Sequence, residues 1–265
     1  LRLPGGCSGA FFHLGWARHR GSSRHMNAKP ILLSVIIPMH NEEENILPTL
    51  EAVSMALRTE SIPFEIVAVD DFSADGTAAA VTQAAARFPE TRLVTKRPPC
   101  GLGRAIRCGL GEARGDAVAI MMADRSDNPA DLVRCYRKLE EGYDCVFGSR
   151  FIAGSKISDY PAIKLVFNRL GNYAIQCLFM TRHNDLTNAF KVYRRHVIES
   201  ISPLHASHFN ITIEMSLSAL IRRYRIATIP ISWSGRTWGQ SKLRLRQMGR
   251  RYISTMLTIW FERLL

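Results

Sequence analysis

The 265-residue sequence contains no apolar run near the ~18–20 residues needed to span a bilayer. Its longest, Ala117–Ala123 and Ile253–Phe261, fall far short. The first 25 residues lack the continuous apolar core of a secretory signal. The six cysteines (7, 100, 108, 135, 145 and 177) include no C-x-x-C pair and no metal-ligand spacing. Sitting in or beside apolar stretches, they read as reduced core residues of an intracellular protein. Glycine-rich phosphate loops are missing too: Gly101-Leu102-Gly103 is too sparse for either common form. No helix-turn-helix or RNA-binding signature is present. Apolar residues at 46% and charged residues at 22% exclude a disordered or collagen-like chain.

What the sequence has in excess is positive charge, net +12, and that excess sits at the ends. Residues 1–29 hold five basic residues and no acid, and 236–265 hold seven against Glu262, leaving +1 for residues 30–235. A charge so placed argues against a nucleic-acid-binding body. We set residues 1–29 aside as a tail, or as codons read ahead of Met26. Residues 30–242 form one expected domain, and 243–265 a basic amphipathic helix.

From Ile31 onward, strands and helices alternate. Expected strands are Ile31–Ile37, Phe64–Val69, Arg92–Thr95, Ala117–Met121 and Cys145–Phe147. Between them fall helical patterns over 42–58, 75–88, Gly101–Ala113 and Pro129–Glu140. This predicts an α/β fold with a mostly parallel sheet covered on both faces. Beyond Arg150 the alternation loosens: 160–180 and Ile211–Arg222 read as helices, Ala189–Tyr193 and Ile226–Ser232 as strands.

In such sheets ligands bind at the carboxyl ends of the strands. Three acidic clusters fall there: His40-Asn41-Glu42-Glu43, Asp70-Asp71 with Asp75, and Asp124-Arg125-Ser126-Asp127. Each alone has an ordinary structural role. Glu42–Glu44 suit a helix dipole, Asp70 and Asp75 suit helix caps, and Asp124 suits a turn. Together they describe a site for a nucleotide, held by carboxylates that accept ribose or base protons or that hold Mg²⁺ or Mn²⁺ against a diphosphate.

The chain resembles the family 2 glycosyltransferases of the GT-A fold, and among them the dolichol-phosphate and polyprenyl-phosphate sugar synthases. The matching blocks are Ser34–Glu42, Val69–Thr77, Gly101–Ala105, Met122–Asp124, Gly148–Phe151, Asp185–Phe190 and Arg236–Lys242. They run in order across residues 33–243. The resemblance implies that Pro38, His40, Glu42, Asp70, Asp71 and Ala123 line the nucleotide. It gives Asp124 as the retained acid of the D-x-D metal motif, with Asp127 able to complete it, and Arg150, Arg236 and Lys242 as phosphate holders. The chain departs at Met122, where a thioether replaces the first Asp and is a poor partner for Mg²⁺. It also departs at Ser126, often Gln, and at Phe72, usually Gly.

The implied reaction is inverting attack by a polyprenyl phosphate oxygen on the anomeric carbon of a nucleotide-diphosphate sugar, assisted by Mg²⁺ or Mn²⁺. A phosphate needs cations rather than a base. A sugar hydroxyl acceptor would instead need a carboxylate base, for which Asp127, Asp185 and Glu214 are candidates. A catalytically silent nucleotide-sugar-binding relative is the other alternative. The C-terminal helix carries apolar residues at near-3.6 spacing among arginines, and fits either docking on the domain or an anionic membrane surface. The expected location is cytoplasmic, peripheral on the membrane's cytoplasmic face, with no nucleic acid partner and homo-oligomerisation left open.

Overall fold

The computed structural model of the chain describes residues 30–235 and 245–265. In chain order the elements are β1 (Leu33–Met39), α1 (Glu43–Thr59), β2 (Phe64–Asp70), α2 (Thr77–Arg87) and β3 (Thr91–Thr95). Next come α3 (Leu102–Glu112), β4 (Ala117–Ile120), α4 (Pro129–Glu140), β5 (Cys145–Ser149) and β6 (Lys156–Ser158). The remainder are α5 (Ala162–Phe179), β7 (Lys191–Arg194), α6 (Arg195–Ile201), α7 (Ile211–Ile221), β8 (Ile226–Pro230), β9 (Ser232–Ser234) and α8 (Leu245–Leu264).

Seven strands form one sheet in the order β3-β2-β1-β4-β7-β5-β8. All its pairings are parallel except those of β7, which runs antiparallel to both β4 and β5. The central strands are mostly apolar because both faces are covered; β4 is wholly apolar, β1 is interrupted by Ser34, and β2 by Glu65 before it ends on Asp70. On β1, Val35 and Ile37 pack with Ile46, Leu50 and Val53 of α1 and with Leu132 of α4. Ile36 between them points the other way, into a cluster with Val67, Val69 and Ala105 of α3. Pro38 is tolerated in β1 because β4 pairs only as far as Ile36, so one edge of the strand needs no donor there.

The expected elements of residues 30–150 are all present, with β1 shifted about two residues toward its C-terminus. The later region is more divided than its pattern implied. The run Ile226–Ser232 breaks into β8 and β9, and β9 pairs with β6 in a separate two-stranded parallel sheet. Helix α6 was not anticipated. Helix α8 docks through Ile259, Tyr252, Met256 and Trp260 onto a cluster built from α7, α5 and β5. Its other face leaves Ile253, Leu257, Phe261 and Leu264 exposed. No described helix is long and apolar enough to cross a membrane. The five described cysteines are all free thiols.

Candidate active site

The strand order places β2, β1 and β4 side by side. Their carboxyl ends therefore bring the three acidic clusters to one edge of the sheet, beneath a cleft of about 660 Å³. Pro38, His40, Glu42, Asp71, Asp124 and Arg150 all line it. Asp70 and Ala123 do not; both are buried just below. Asp70 caps its own turn, with Oδ1 accepting from Ser73 N at 3.2 Å. Arg236 and Lys242 lie outside the described residues.

Each lining group is held by the turn that follows its strand. Asp71 accepts from Gly101 N at 2.6 Å and pairs with Lys96 Nζ at 2.8 Å, so its charge is matched within the protein. Gly101 has φ +149° and its missing Cβ would sit 2.3 Å from Ser207 O, so only glycine brings this N–H to Asp71. His40 Nδ1 lies 2.9 Å from Asp71 O. Buried Glu42 accepts from Asn45 Nδ2 at 2.8 Å, and its backbone N–H donates to Thr77 Oγ1. Glu43 and Asp75 serve the scaffold instead. Glu43 accepts from Gly76 N and Asp75 from Thr77 N, which knits the starts of α1 and α2 together. Phe72 adopts a left-handed φ of +58°, and it is 56% exposed and outside the cleft lining.

In the turn after β4, Asp124 lines the cleft and its Oδ1 accepts from Ser126 Oγ at 2.6 Å and from Ser126 N at 3.2 Å. Asp127 takes a different direction. Its Oδ2 accepts from Met122 N at 3.0 Å, and it faces a second cavity rather than the cleft. Burial pushes its carboxyl up to about 7, opposed by the Met122 N–H and reinforced by the Asp124 charge. The cleft therefore offers a metal the carboxylate of Asp124, the hydroxyl of Ser126 and the thioether of Met122. Among the described residues no three His, Cys, Asp or Glu side chains gather into a metal cage. This donor set fits a hard cation shared with a diphosphate and waters, the usual way Mg²⁺ is held, and does not fit a metal carried by protein alone.

Arg150 is buried, and two of its three nitrogens are already engaged. Nε and Nη2 donate to the two oxygens of Asp185 at 2.8 and 2.7 Å, and Nη1 lies 3.5 Å from Tyr160 Oη. Burial works against this charge, but Asp185 outweighs it and holds the guanidinium pKa above its ordinary value. Tyr160, Trp233 and Phe151 surround it with ring faces at 5.2–5.8 Å. Beneath, buried Lys191 donates to Leu186 O at 2.9 Å and also to Asn188 O, bracing the loop that carries Asp185. Burial lowers its ammonium to about 7, with Asp185 opposing and Arg150 adding to the shift. The resemblance singled out Arg150, but its pairing with Asp185 was not anticipated, and Lys191 was missed entirely.

Of the three candidate bases, Asp127 faces the second cavity, and Asp185 and Glu214 are committed to other partners. Asp185 gives both oxygens to Arg150. Glu214 gives its two oxygens to His205 N at 2.7 Å and Ala206 N at 2.8 Å. Lys164 and Asn168 of α5 and Tyr252 of α8 complete the far side of the cleft. These were not anticipated, because nothing in their spacing marks them as cleft residues.

An open α/β sheet with carboxylates at adjacent strand ends, facing a cleft, is the arrangement in which folds of this class bind their ligands. Residues 34–202 match Glycosyl transferase family 2, and the chain belongs to that family and is a glycosyltransferase. It is 30% identical over 215 residues to polyprenol monophosphomannose synthase of Mycolicibacterium smegmatis, covering 79% of this chain and 80% of that one. It is 26% identical to dolichol-phosphate mannosyltransferase of Pyrococcus furiosus, covering 80% of this chain and 59% of that longer protein. Among solved structures it resembles glucosyl-3-phosphoglycerate synthase of Mycobacterium tuberculosis, in complex with phosphoglyceric acid. The TM-score is 0.67 at 18% identity, over 86% of this chain and 80% of that one. The same enzyme in complex with Mn²⁺, UDP and glucosyl-3-phosphoglycerate gives a TM-score of 0.66 at 18% identity, with the same coverage.

Proposed function

We propose that the protein transfers a sugar, mannose by analogy with its named relatives, from a nucleotide-diphosphate sugar to a polyprenyl phosphate at a membrane surface. One observation carries the acceptor reading. The far side of the cleft is formed by α5 and α8, and both present exposed apolar faces beside it. On α5 these are Ile163, Val166, Phe167, Leu170 and Tyr173; on α8 they are Ile253, Leu257, Phe261 and Leu264. Basic residues accompany these faces, Lys164 and Arg169 on α5 and Arg250 and Arg251 on α8. Apolar burial at the acyl boundary combined with basic charge is how a helix lies on an anionic leaflet. The arrangement supports peripheral attachment to a membrane, with the lipid phosphate entering between these helices; the proposed face is the cytoplasmic one.

In this reading, an acceptor phosphate oxygen attacks the anomeric carbon as the bond from that carbon to the donor diphosphate breaks, inverting the centre and releasing the nucleoside diphosphate. Pro38, His40, Glu42 and Asp71 bound the nucleotide. A phosphate acceptor carries about 1.5–2 negative charges and needs no base, which suits a cleft whose nearby carboxylates Asp185 and Glu214 are already engaged. Lys164, Arg236, Lys242 and the Nη1 edge of Arg150 are the groups assigned to phosphate oxygens, Arg as a fork and Lys as a point charge. Asp124 would hold Mg²⁺ or Mn²⁺ with the diphosphate. When bound, the ion acts as a Lewis acid on the departing diphosphate.

The test is a transfer assay with vesicles carrying polyprenyl phosphate, run beside a soluble sugar acceptor. Labelled lipid is the expected product. Transfer only to the hydroxyl acceptor would replace this reading, and binding of nucleotide sugar without transfer to either would favour the silent relative.

A further inference from the structure

Behind the cleft lies a second cavity of about 520 Å³ that the proposed transfer does not use. It is bounded by α1, by the turn after β4 and by the small β6–β9 sheet. Its size falls within the ~300–1,000 Å³ of small-molecule sites. Ser126 and Trp233 line both cavities, so the partition is thin there. It is stitched by Ser234 N donating to Ser126 O at 3.1 Å and by a backbone bridge between Asp127 and Trp233.

Three ionisable groups line this cavity, the buried Asp127 and the exposed Arg125 and Lys156. Asp127 is 5% exposed, and with Oδ2 taken by Met122 N its Oδ1 meets no donor among the described residues. Arg125 and Lys156 line the same space, and neither enters an ion pair or a side-chain hydrogen bond among the described residues. Arg125 adopts a left-handed φ of +61°, and the chain turns there so that Asp124 faces the cleft and Arg125 the second cavity. The rest of the lining mixes Ile157, Met121 and Pro48 with the hydroxyls of Ser158 and Ser234.

These groups restrict the ligand. A purely apolar molecule would desolvate two cations and a carboxyl oxygen and offer none of them a partner. An anion with no hydroxyl would place charge against Asp127. A molecule with hydroxyls to donate and a phosphate to accept satisfies all three. We propose that this second cavity is a regulatory site for a small sugar phosphate. Its hydroxyls meet Asp127 and the serines, its carbon face rests on Ile157 and Trp233, and its phosphate meets Arg125 and Lys156.

Occupancy would reach the active site through the shared wall. Ser126 holds Asp124, and Trp233 stacks on Tyr160 at 4.7 Å and covers Arg150. The binding site stands apart from the transfer reading; only its regulatory sense rests on it.

Isothermal titration of the full chain with mannose 1-phosphate tests the site without any turnover. Saturable binding is expected. It should weaken at least ~10-fold in Ala52→Trp, which fills the cavity from the exposed side of α1, and in Lys156→Glu. His40→Ala, in the cleft only, should bind as the wild type does. Circular dichroism checks that the variants are folded. Inorganic phosphate and free mannose should each bind at least ~10-fold more weakly than the ester. The proposal is overturned by unchanged binding in both cavity variants, by loss in His40→Ala, by phosphate binding as tightly as the ester, or by no saturable binding at millimolar concentration.

Discussion

The two halves of this chain treat their apolar residues differently. Among the described residues before Arg150, only Met55 and Phe72 are large, apolar and exposed; after it there are twelve. The first half is a closed α/β layer whose strand ends present carboxylates to a small polar ligand. The second half builds the far wall of the cleft and leaves two greasy, basic helix faces uncovered. Monomeric soluble proteins rarely expose apolar residues in contiguous patches. The proposed function divides along this contrast, with the nucleotide proposed for the first half and a lipid-borne acceptor for the second.

The strongest way to break that division is at the joint between the halves. Arg150→Met strands Asp185 as a buried, unpaired charge, and should cost ~3–5 kcal/mol of stability, read by denaturant unfolding. A loss below ~1 kcal/mol would mean that the pair is not buried as described. Asp124→Asn should lower transfer by roughly a hundredfold or more, the scale of losing one positioned electrostatic contact, with stability nearly unchanged. Full activity would remove Asp124 from the site. On the acceptor side, Phe167→Asp or Leu257→Asp should each forfeit about 1.5–3 kcal/mol of apolar burial in lipid. Vesicle co-sedimentation should then fall roughly tenfold or more, while thermal unfolding barely moves because both residues are exposed.

Smaller effects sharpen the first half. Burial raises Asp127 from an ordinary carboxylate to about 7 in the folded state, so the native chain binds more protons than the unfolded one between pH ~4 and 7. Its contribution is fully present below the unfolded pKa and is lost as pH rises through 7. Asp127→Asn should flatten that part of the stability–pH profile. Phe72→Gly relieves a left-handed non-glycine residue, worth about 1 kcal/mol. It should raise the melting temperature slightly without altering nucleotide binding, since the ring stands outside the cleft.

The same contrast explains what was legible in the sequence. Strands β1, β2 and β4 are covered on both faces, so they show as mostly apolar runs, interrupted only at Ser34 in β1 and Glu65 in β2, and their polar ends marked the site. Strands β6 and β9 have three residues each, too few for any period, and they pair across a long separation. The antiparallel direction of β7 leaves no trace in its composition. Asp127 reads as a metal ligand by spacing, yet Met122 N turns it toward the other cavity, because spacing cannot say which side of a turn a carboxylate takes. Asp185 and Glu214 look like free acids until Arg150 and the His205–Ala206 backbone are brought against them. The exposed face of α5 was hidden for a simpler reason: an apolar helical stripe reads the same whether it meets a core or a lipid.

The central claim is that the acceptor is a lipid phosphate at a membrane surface. The most direct measurement supplies radiolabelled nucleotide-diphosphate mannose, with GDP and UDP donors in parallel and Mg²⁺ or Mn²⁺ present. Matched vesicles with and without polyprenyl phosphate serve as acceptors. The account predicts label in the organic phase only where the lipid phosphate is present, lost when Asp124 is changed to Asn. Label that stays out of the lipid while a soluble sugar hydroxyl is glycosylated would contradict it.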